Sequence, residues 1–324
     1  MLDNPPPNLP RVLADLPVSA TIERMLAGRV ELLPWEPPPG TEASSIAGIY
    51  IYGHPRVDAC LLERLPEVRV ISNFGVGVDH IDVTAAAARG IAVGNTPGIL
   101  DGATADLAFA LLLAAARKLV EGDRYARGPN FLHYDPSYLL GREVHDSTLG
   151  ILGMGRIGEQ IARRARAFDM NILYHNRQRR PAVEEALGAR YAARDELLTA
   201  ADFVMLTVPL TSETRRLIGR AELARMKPTA ILINVARGAV VDTEALTEAL
   251  ATRTIHAAAL DVTEPEPLPR HHPLLRLDNV LITPHLGSAT EQTRQRMTEI
   301  SIDNLLAGLS GRPLPCPVVP AAPK

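Results

Sequence analysis

Cysteine is almost missing from this chain of 324 residues: only Cys60 and Cys316 occur, with no metal-type spacing between them. A disulfide framework is therefore not expected, and a reducing cytoplasm is the compartment this usage predicts. Long apolar runs are missing too. The longest, Leu107 to Ala116, is too short to span a bilayer, so no membrane partner is expected. The N-terminal stretch MLDNPPPNLPRVLADLP lacks the basic start and apolar core of a signal peptide. Nor is there an excess of charge: 34 basic against 37 acidic residues leave a net −3, which offers no general attraction for nucleic acid or anionic lipid. HExxH, paired CxxC, GxSxG and Walker patterns are all absent, so metal, acyl-transfer and NTPase chemistry have no support.

What is present is an alternation of strand and helix patterns, the signature of an α/β fold with parallel sheets. The length suits two domains. The first hundred residues carry the strand patterns RVLADL, VELLPW, IAGIYIYG, VRVISN and IAVGNT. Helical stretches Ser19 to Leu26, Pro55 to Leu65 and Asp82 to Ala88 lie between them. From Asp101 the segment DGATADLAFALLLAAARKLVEG reads as one buried helix, and RGPNFLHYDPSYLLGREV as a loop. Six further strand patterns follow: STLGILGM, NILYHN, DFVMLTVP, AILINVAR, AAALDV and NVLITPH. Six is the count of a full dinucleotide fold. A last helix starts near Ala289, after that unit is complete, and is expected to return to the first domain. The predicted division is 1–100 with 289–324, a discontinuous domain, around a central domain 101–288.

The glycines Gly153, Gly155 and Gly158 follow the strand TLGIL and open the helix RIGEQIARRARAF, the context a dinucleotide-binding loop requires. Gly153 permits the tight turn, Gly155 lets backbone approach the pyrophosphate, and Gly158 lets helix pack on strand. The helix N-terminus then offers its N–H groups to the phosphates. The next strand should end in an acid that grips the ribose of NAD. It ends in His175-Asn176-Arg177. No acid repels a 2′-phosphate there, and Arg177 supplies a planar fork of donors, with Arg179 and Arg180 adding charge. NADPH is the expected cofactor, with NAD possible at lower preference.

Three polar residues follow three successive strands at the sheet's carboxyl edge, where ligands bind in such folds. Arg237 comes just after ILIN, Glu266 in the proline-rich loop after AAALDV, and His285 just after NVLITP. Arginine can grip a carboxylate bidentately, and a histidine with a carboxylate partner suits general acid work near neutral pH. His271 and His272 read as surface residues, and His80, His133, His145 and His256 have no comparable setting.

The pieces NTPGILDGATADLAFALLLAAARK, TLGILGMGRIG, INVARGAVVD, ALDVTEPEPLP and PHLGSAT resemble the D-2-hydroxyacid dehydrogenase family. Within it the chain is most similar to the glyoxylate/hydroxypyruvate (2-ketogluconate-type) reductases. The resemblance runs from VRVISNFGVGVDHIDV to the final helix. It implies two Rossmann-like domains, a flavodoxin-like substrate domain and a central NAD(P)-binding one, with a cleft between them, and a homodimer built on the LAFALLLAAA helix and the loop Gly128 to Gly141. It makes Arg237, Glu266 and His285 catalytic, with a small 2-oxo or 2-hydroxy acid as substrate. Backbone N–H groups of Val76 and Gly77 in FGVGVD, with Arg237 and His285, would bind that substrate. Thr104, Arg156, Ile157, Asn176, Val208, Pro209, Val235, Ala236, Asp261 and Gly287 would join the glycine loop and Arg177 at the cofactor. A tryptophan that many of these reductases carry near HYDPSYLLG is missing, the only one being Trp35; Tyr134 or Tyr138 are candidates to replace it. A nucleotide-sensing corepressor on the same fold and a phosphite-oxidising dehydrogenase are the alternatives that the residues leave open.

Overall fold

The computed structural model describes residues 9–15 and 17–320. The first eight residues of the stretch read for a signal segment, and Leu16 at the end of the first strand pattern, lie outside the described residues. Among the described residues, those up to Leu100 and from Thr290 onward form one compact unit, and Asp101–Ala289 form another. Ala289, expected to open the returning segment, belongs to the central unit.

The first unit holds a five-stranded parallel sheet of β1 (Arg11–Ala14), β2 (Glu31–Pro34), β3 (Ile46–Ile51), β4 (Val70–Asn73) and β5 (Ala92–Gly94). Its order is β2-β1-β3-β4-β5, the flavodoxin-like arrangement. The predicted helices are present but start later, each after a side-chain cap that accepts a free N–H of the first turn. Ser19 caps Ala20–Leu26, Asp58 caps Ala59–Arg64, and Asp82 caps Val83–Ala88. The last helix, Glu291–Leu309, is capped by Thr290 and packs on this sheet. A Cβ at Gly308 would lie 2.4 Å from Val70 Cγ2, so only glycine allows that approach. Tyr50 Oη and Ser301 Oγ meet at 2.8 Å, and Ser72 Oγ donates to Ser301 O at 2.6 Å, so the buried polar groups there are paired.

The central unit holds β6 (Thr148–Leu152), β7 (Asn171–His175), β8 (Arg190–Tyr191), β9 (Phe203–Leu206), β10 (Ile231–Asn234), β11 (Ala257–Leu260) and β12 (Val280–Ile282). The order is β12-β11-β10-β9-β6-β7-β8, all parallel, which is the dinucleotide order 3-2-1-4-5-6 with one strand added. Seven strands thus replace the expected six: the overlooked β8 has only two residues. The central strands are apolar along most of their length because helices cover both faces. Ile151, Met205, Ile231 and Ile233 point into one core with Leu111 and Leu112, while Leu152, Val204 and Leu232 point into the other.

The long helix expected from Asp101 is two helices, Asp101–Ala116 and Leu119–Arg127. Ala116 O accepts from Arg142 N at 2.8 Å instead of continuing the helical ladder, and Lys118 takes φ 51°. A tertiary contact ends the helix there. Among the described residues no helix is long and apolar enough to cross a membrane.

Candidate active site

The glycine loop begins where β6 ends, beside β9, at the point where strand order reverses. Gly153 has φ +107°, and a Cβ on it would lie 2.7 Å from Val208 N. A Cβ on Gly158 would lie 2.4 Å from Gly153 O. Both glycines are thus demanded by the chain's own packing. Gly155 differs: a Cβ there would meet nothing within 4 Å, so its open face is what a closely approaching cofactor backbone needs. The helix Arg156–Ala167 starts at this point and presents the first-turn N–H groups of Arg156 and Ile157. Burial raises the Asp101 carboxyl, and the charge of Arg156 opposes that rise.

Asn176 braces this loop, accepting from Met154 N at 2.7 Å and donating to Met154 O at 3.3 Å. Thr207, which the sequence did not single out, donates to Gly153 O at 2.7 Å. No acid follows β7. Arg177 is exposed, its Nη1 3.4 Å from Glu213 Oε2. Arg180 donates to Met154 O at 3.0 Å, while Arg179 is held by Glu184 over the Tyr191 ring.

At the same edge of this sheet, β10, β11 and β12 are consecutive neighbours, so the residues after each stand side by side. After β10, buried Asn234 shapes the turn that carries Val235, Ala236 and Arg237: Oδ1 accepts from Ala236 N at 3.0 Å and Nδ2 donates to Arg237 O at 2.9 Å. Gly238 follows, and a Cβ on it would lie 2.0 Å from the Thr263 carbonyl group. That contact joins the Arg237 turn to the loop of Glu266, whose Oε2 accepts from Thr263 N at 3.3 Å. Glu266 Oε1 lies 2.7 Å from His285 Nδ1, both side chains about one-third exposed.

His285 stands at φ 56°, a left-handed conformation uncommon outside glycine. Its N–H donates to Asp261 O at 2.9 Å. The Asp261 carboxylate, buried behind β11, accepts from Thr283 Oγ1 at 2.6 Å, Leu286 N at 2.7 Å and Gly287 N at 2.8 Å. Burial raises its pKa and those hydrogen bonds oppose the rise. Asp261 thereby clamps the turn that displays His285. Thr104 closes the group, since a Cβ on Gly287 would lie 3.3 Å from Thr104 Cγ2 and from Asp261 Oδ2. Val208 is half-buried and Pro209 exposed just past β9. In the first unit, Val76 and Gly77 occupy the turn after β4, and among the described residues neither N–H has a protein acceptor.

His272, read as a surface residue, is half-buried, and its Nδ1 accepts from Leu274 N at 3.2 Å. No group of three metal-type side chains is placed to hold an ion among the described residues. Asn234 and Gly238 were missed although both flank Arg237. Their signal was a strand-end Asn and an Arg-Gly pair, which carries meaning only once the Thr263 contact is known.

A parallel sheet of dinucleotide order, with a glycine loop at its switch point and an open cradle at Gly155, defines a nucleotide-cofactor-binding protein. The model of the D-isomer specific 2-hydroxyacid dehydrogenase NAD binding domain matches residues 109–287. The chain belongs to the D-isomer specific 2-hydroxyacid dehydrogenase family. It is 51% identical over 252 residues to a glyoxylate reductase of Korarchaeum cryptofilum, covering 78% of this chain and 76% of that one. It is 43% identical over 314 residues to a glyoxylate reductase of Aeropyrum pernix, covering 94% of each. Among solved structures, the NADPH-dependent glyoxylate/hydroxypyruvate reductase of Sinorhizobium meliloti, in complex with NADP and malonate, superposes with a TM-score of 0.87. That pair shares 34% identity over 95% of this chain and 96% of the other.

Proposed function

We propose that this protein is an NADPH-preferring reductase that converts small 2-oxo acids, glyoxylate and hydroxypyruvate, to D-2-hydroxy acids. The observation that carries the reading is the 2.7 Å pair of His285 and Glu266, on the sheet edge that also carries Arg237. The bound nicotinamide cofactor supplies the hydride. The chain's own residues bind, orient and protonate. Arg237 and the Val76 and Gly77 amides hold the carboxylate, and Arg237 also polarises the carbonyl. His285, with Nδ1 on Glu266, delivers a proton from Nε2 to the carbonyl oxygen as general acid. Glu266 keeps the ring oriented for that transfer. Thr104, Asp261 and Gly287 stand at the nicotinamide end in this reading. The test is NADPH oxidation by the purified protein with glyoxylate or hydroxypyruvate. Cofactor binding without turnover of either acid would overturn the proposal.

Cofactor preference gives a separate expectation. With Arg177 exposed and no acid after β7, kcat/KM favours NADPH over NADH by at least about tenfold, roughly 1.4 kcal/mol. Arg177→Ala erodes that ratio. Paired kinetics with both cofactors check it, and equal use of both by the wild type refutes it.

A homodimer is the expected assembly. Leu132 is 83% exposed and Tyr134 81%, and Phe131, Tyr138 and Leu140 around them are exposed as well, an apolar concentration that solvent does not favour. The LAFALLLAAA helix itself faces the core of its own unit, so the loop carries this surface. Light scattering at micromolar concentration should give the mass of a dimer, as a large apolar interface would hold it together at that concentration. A stable, active monomer would contradict it.

A further inference from the structure

We propose that Asn73 and Asn95 are positioning residues that tie down the carbonyl groups of the turn after β4 and thereby aim the Val76 and Gly77 amides at a substrate carboxylate. The inference rests on the reading of those two amides as the carboxylate site and adds what holds them there. β4 ends at Asn73 and its parallel neighbour β5 at Gly94, so the residues just beyond both strands stand together at one sheet edge. Four successive carbonyls of the turn are taken by groups from these two strand ends. Thr96 Oγ1 donates to Phe74 O at 2.8 Å, and Thr96 N to Gly75 O at 3.3 Å. Asn73 Nδ2 donates to both Gly75 O at 2.9 Å and Gly77 O at 2.8 Å. Asn95 Nδ2 donates to Val76 O at 2.8 Å.

In a planar trans peptide the C=O of one residue and the N–H of the next point in opposite directions. Tying Gly75 O inward therefore turns Val76 N–H outward, and tying Val76 O inward turns Gly77 N–H outward. Successive outward N–H groups form a concavity suited to an anion. Neither of the two amides concerned has a protein acceptor among the described residues.

The braces are themselves fixed. Asn73 is buried, and its Oδ1 lies 3.2 Å from His80 Nε2, which leaves Nδ2 directed at the turn. Asn95 N donates to Cys316 O at 3.1 Å, and Asn304 Nδ2 from the last helix donates to Asn95 O at 3.0 Å. A hydrophobic side chain of similar size at position 73 would take the donor from Gly77 O and leave Gly75 O with only the 3.3 Å contact from Thr96 N, loosening both peptide planes.

The test uses Asn73→Leu, with Asn95→Ser as a second variant at a less buried position. The readouts are glyoxylate KM and kcat, NADPH affinity, and binding of oxamate, a carboxylate that accepts no hydride, to the cofactor-loaded enzyme. In the wild type, oxamate should shift the Val76 and Gly77 amide resonances. Each variant should raise KM and weaken oxamate by about tenfold or more, with a smaller change in kcat and unchanged NADPH affinity. If the wild-type amides ignore oxamate, the carboxylate reading falls and this proposal with it. If they respond while both variants keep wild-type oxamate affinity and KM, the carboxylate site stands and the positioning role is overturned. Equal losses of NADPH and oxamate affinity would also overturn it, because they would mark general destabilisation. Should Asn73→Leu not fold, Asn95→Ser decides by the same criteria.

Discussion

Replacing His285 by asparagine is expected to lower kcat for glyoxylate reduction by at least about a hundredfold while NADPH affinity stays near wild type. The choice of asparagine follows from the backbone. His285 sits at φ 56°, where most residues are strained, and asparagine is among the few that adopt that conformation readily. Alanine would confound a lost proton donor with a displaced turn. Asparagine keeps the turn, held by Asp261, and removes only the acid. Without a donor, hydride arrival leaves an alkoxide that nothing in the Arg237–Glu266–His285 group can protonate as well. Glu266→Gln retains size and a hydrogen-bonding group at the 2.7 Å contact, so its kcat should fall between the two. Steady-state kinetics with a parallel cofactor titration checks both. An asparagine variant within tenfold of wild-type kcat, at unchanged NADPH affinity, would remove His285 from the chemistry.

How much of this was legible in the sequence depends on where the determining contact lies. The strands TLGIL, FVML, ILIN and AAAL announced themselves because a sheet covered on both faces needs unbroken apolar runs. β8 has two residues, Arg190 and Tyr191, and so leaves no periodicity to read. The helix end at Ala116 was hidden for another reason: its terminating donor, Arg142 N, comes from beyond a loop. The glycine loop was readable residue by residue, since spacing and context together encode the turn. Asn176 shows the limit of that logic. Its place after β7 put it among the residues expected at the cofactor, but spacing did not encode that its side chain braces the loop by holding Met154 at both N–H and C=O. For Arg237, Glu266 and His285, position after three strands placed all of them at one edge. Only the neighbouring order of β10, β11 and β12 makes that edge a single group, and order is a tertiary property.

Gly238 is the point where this tertiary dependence has the largest consequence for a single substitution. Gly238→Ala should cost about a hundredfold in kcat/KM for glyoxylate, as expected for a displacement of reacting groups by about 1 Å. The added Cβ would lie 2.0 Å from both C and O of Thr263 and 2.6 Å from Glu264 N, all of them backbone atoms that cannot step aside as a flexible side chain would. One of the two turns must move. Moving the first displaces Arg237, which precedes Gly238 and whose carbonyl is held by Asn234. Moving the second displaces Glu266, which is tied to Thr263 N and to His285. Either shift separates Arg237 from the Glu266–His285 pair, the groups proposed to anchor the carboxylate and to donate the proton, while the glycine loop at β6 is left alone. NADPH affinity should therefore change much less than kcat/KM. The overpacking itself should cost about 1–3 kcal/mol of stability, seen as a fall in Tm. Thermal unfolding and kinetics on the same preparation test the two effects together. If Gly238→Ala keeps both its Tm and its kcat/KM, the Arg237 turn and the Glu266 loop are not in the close contact that the geometry describes.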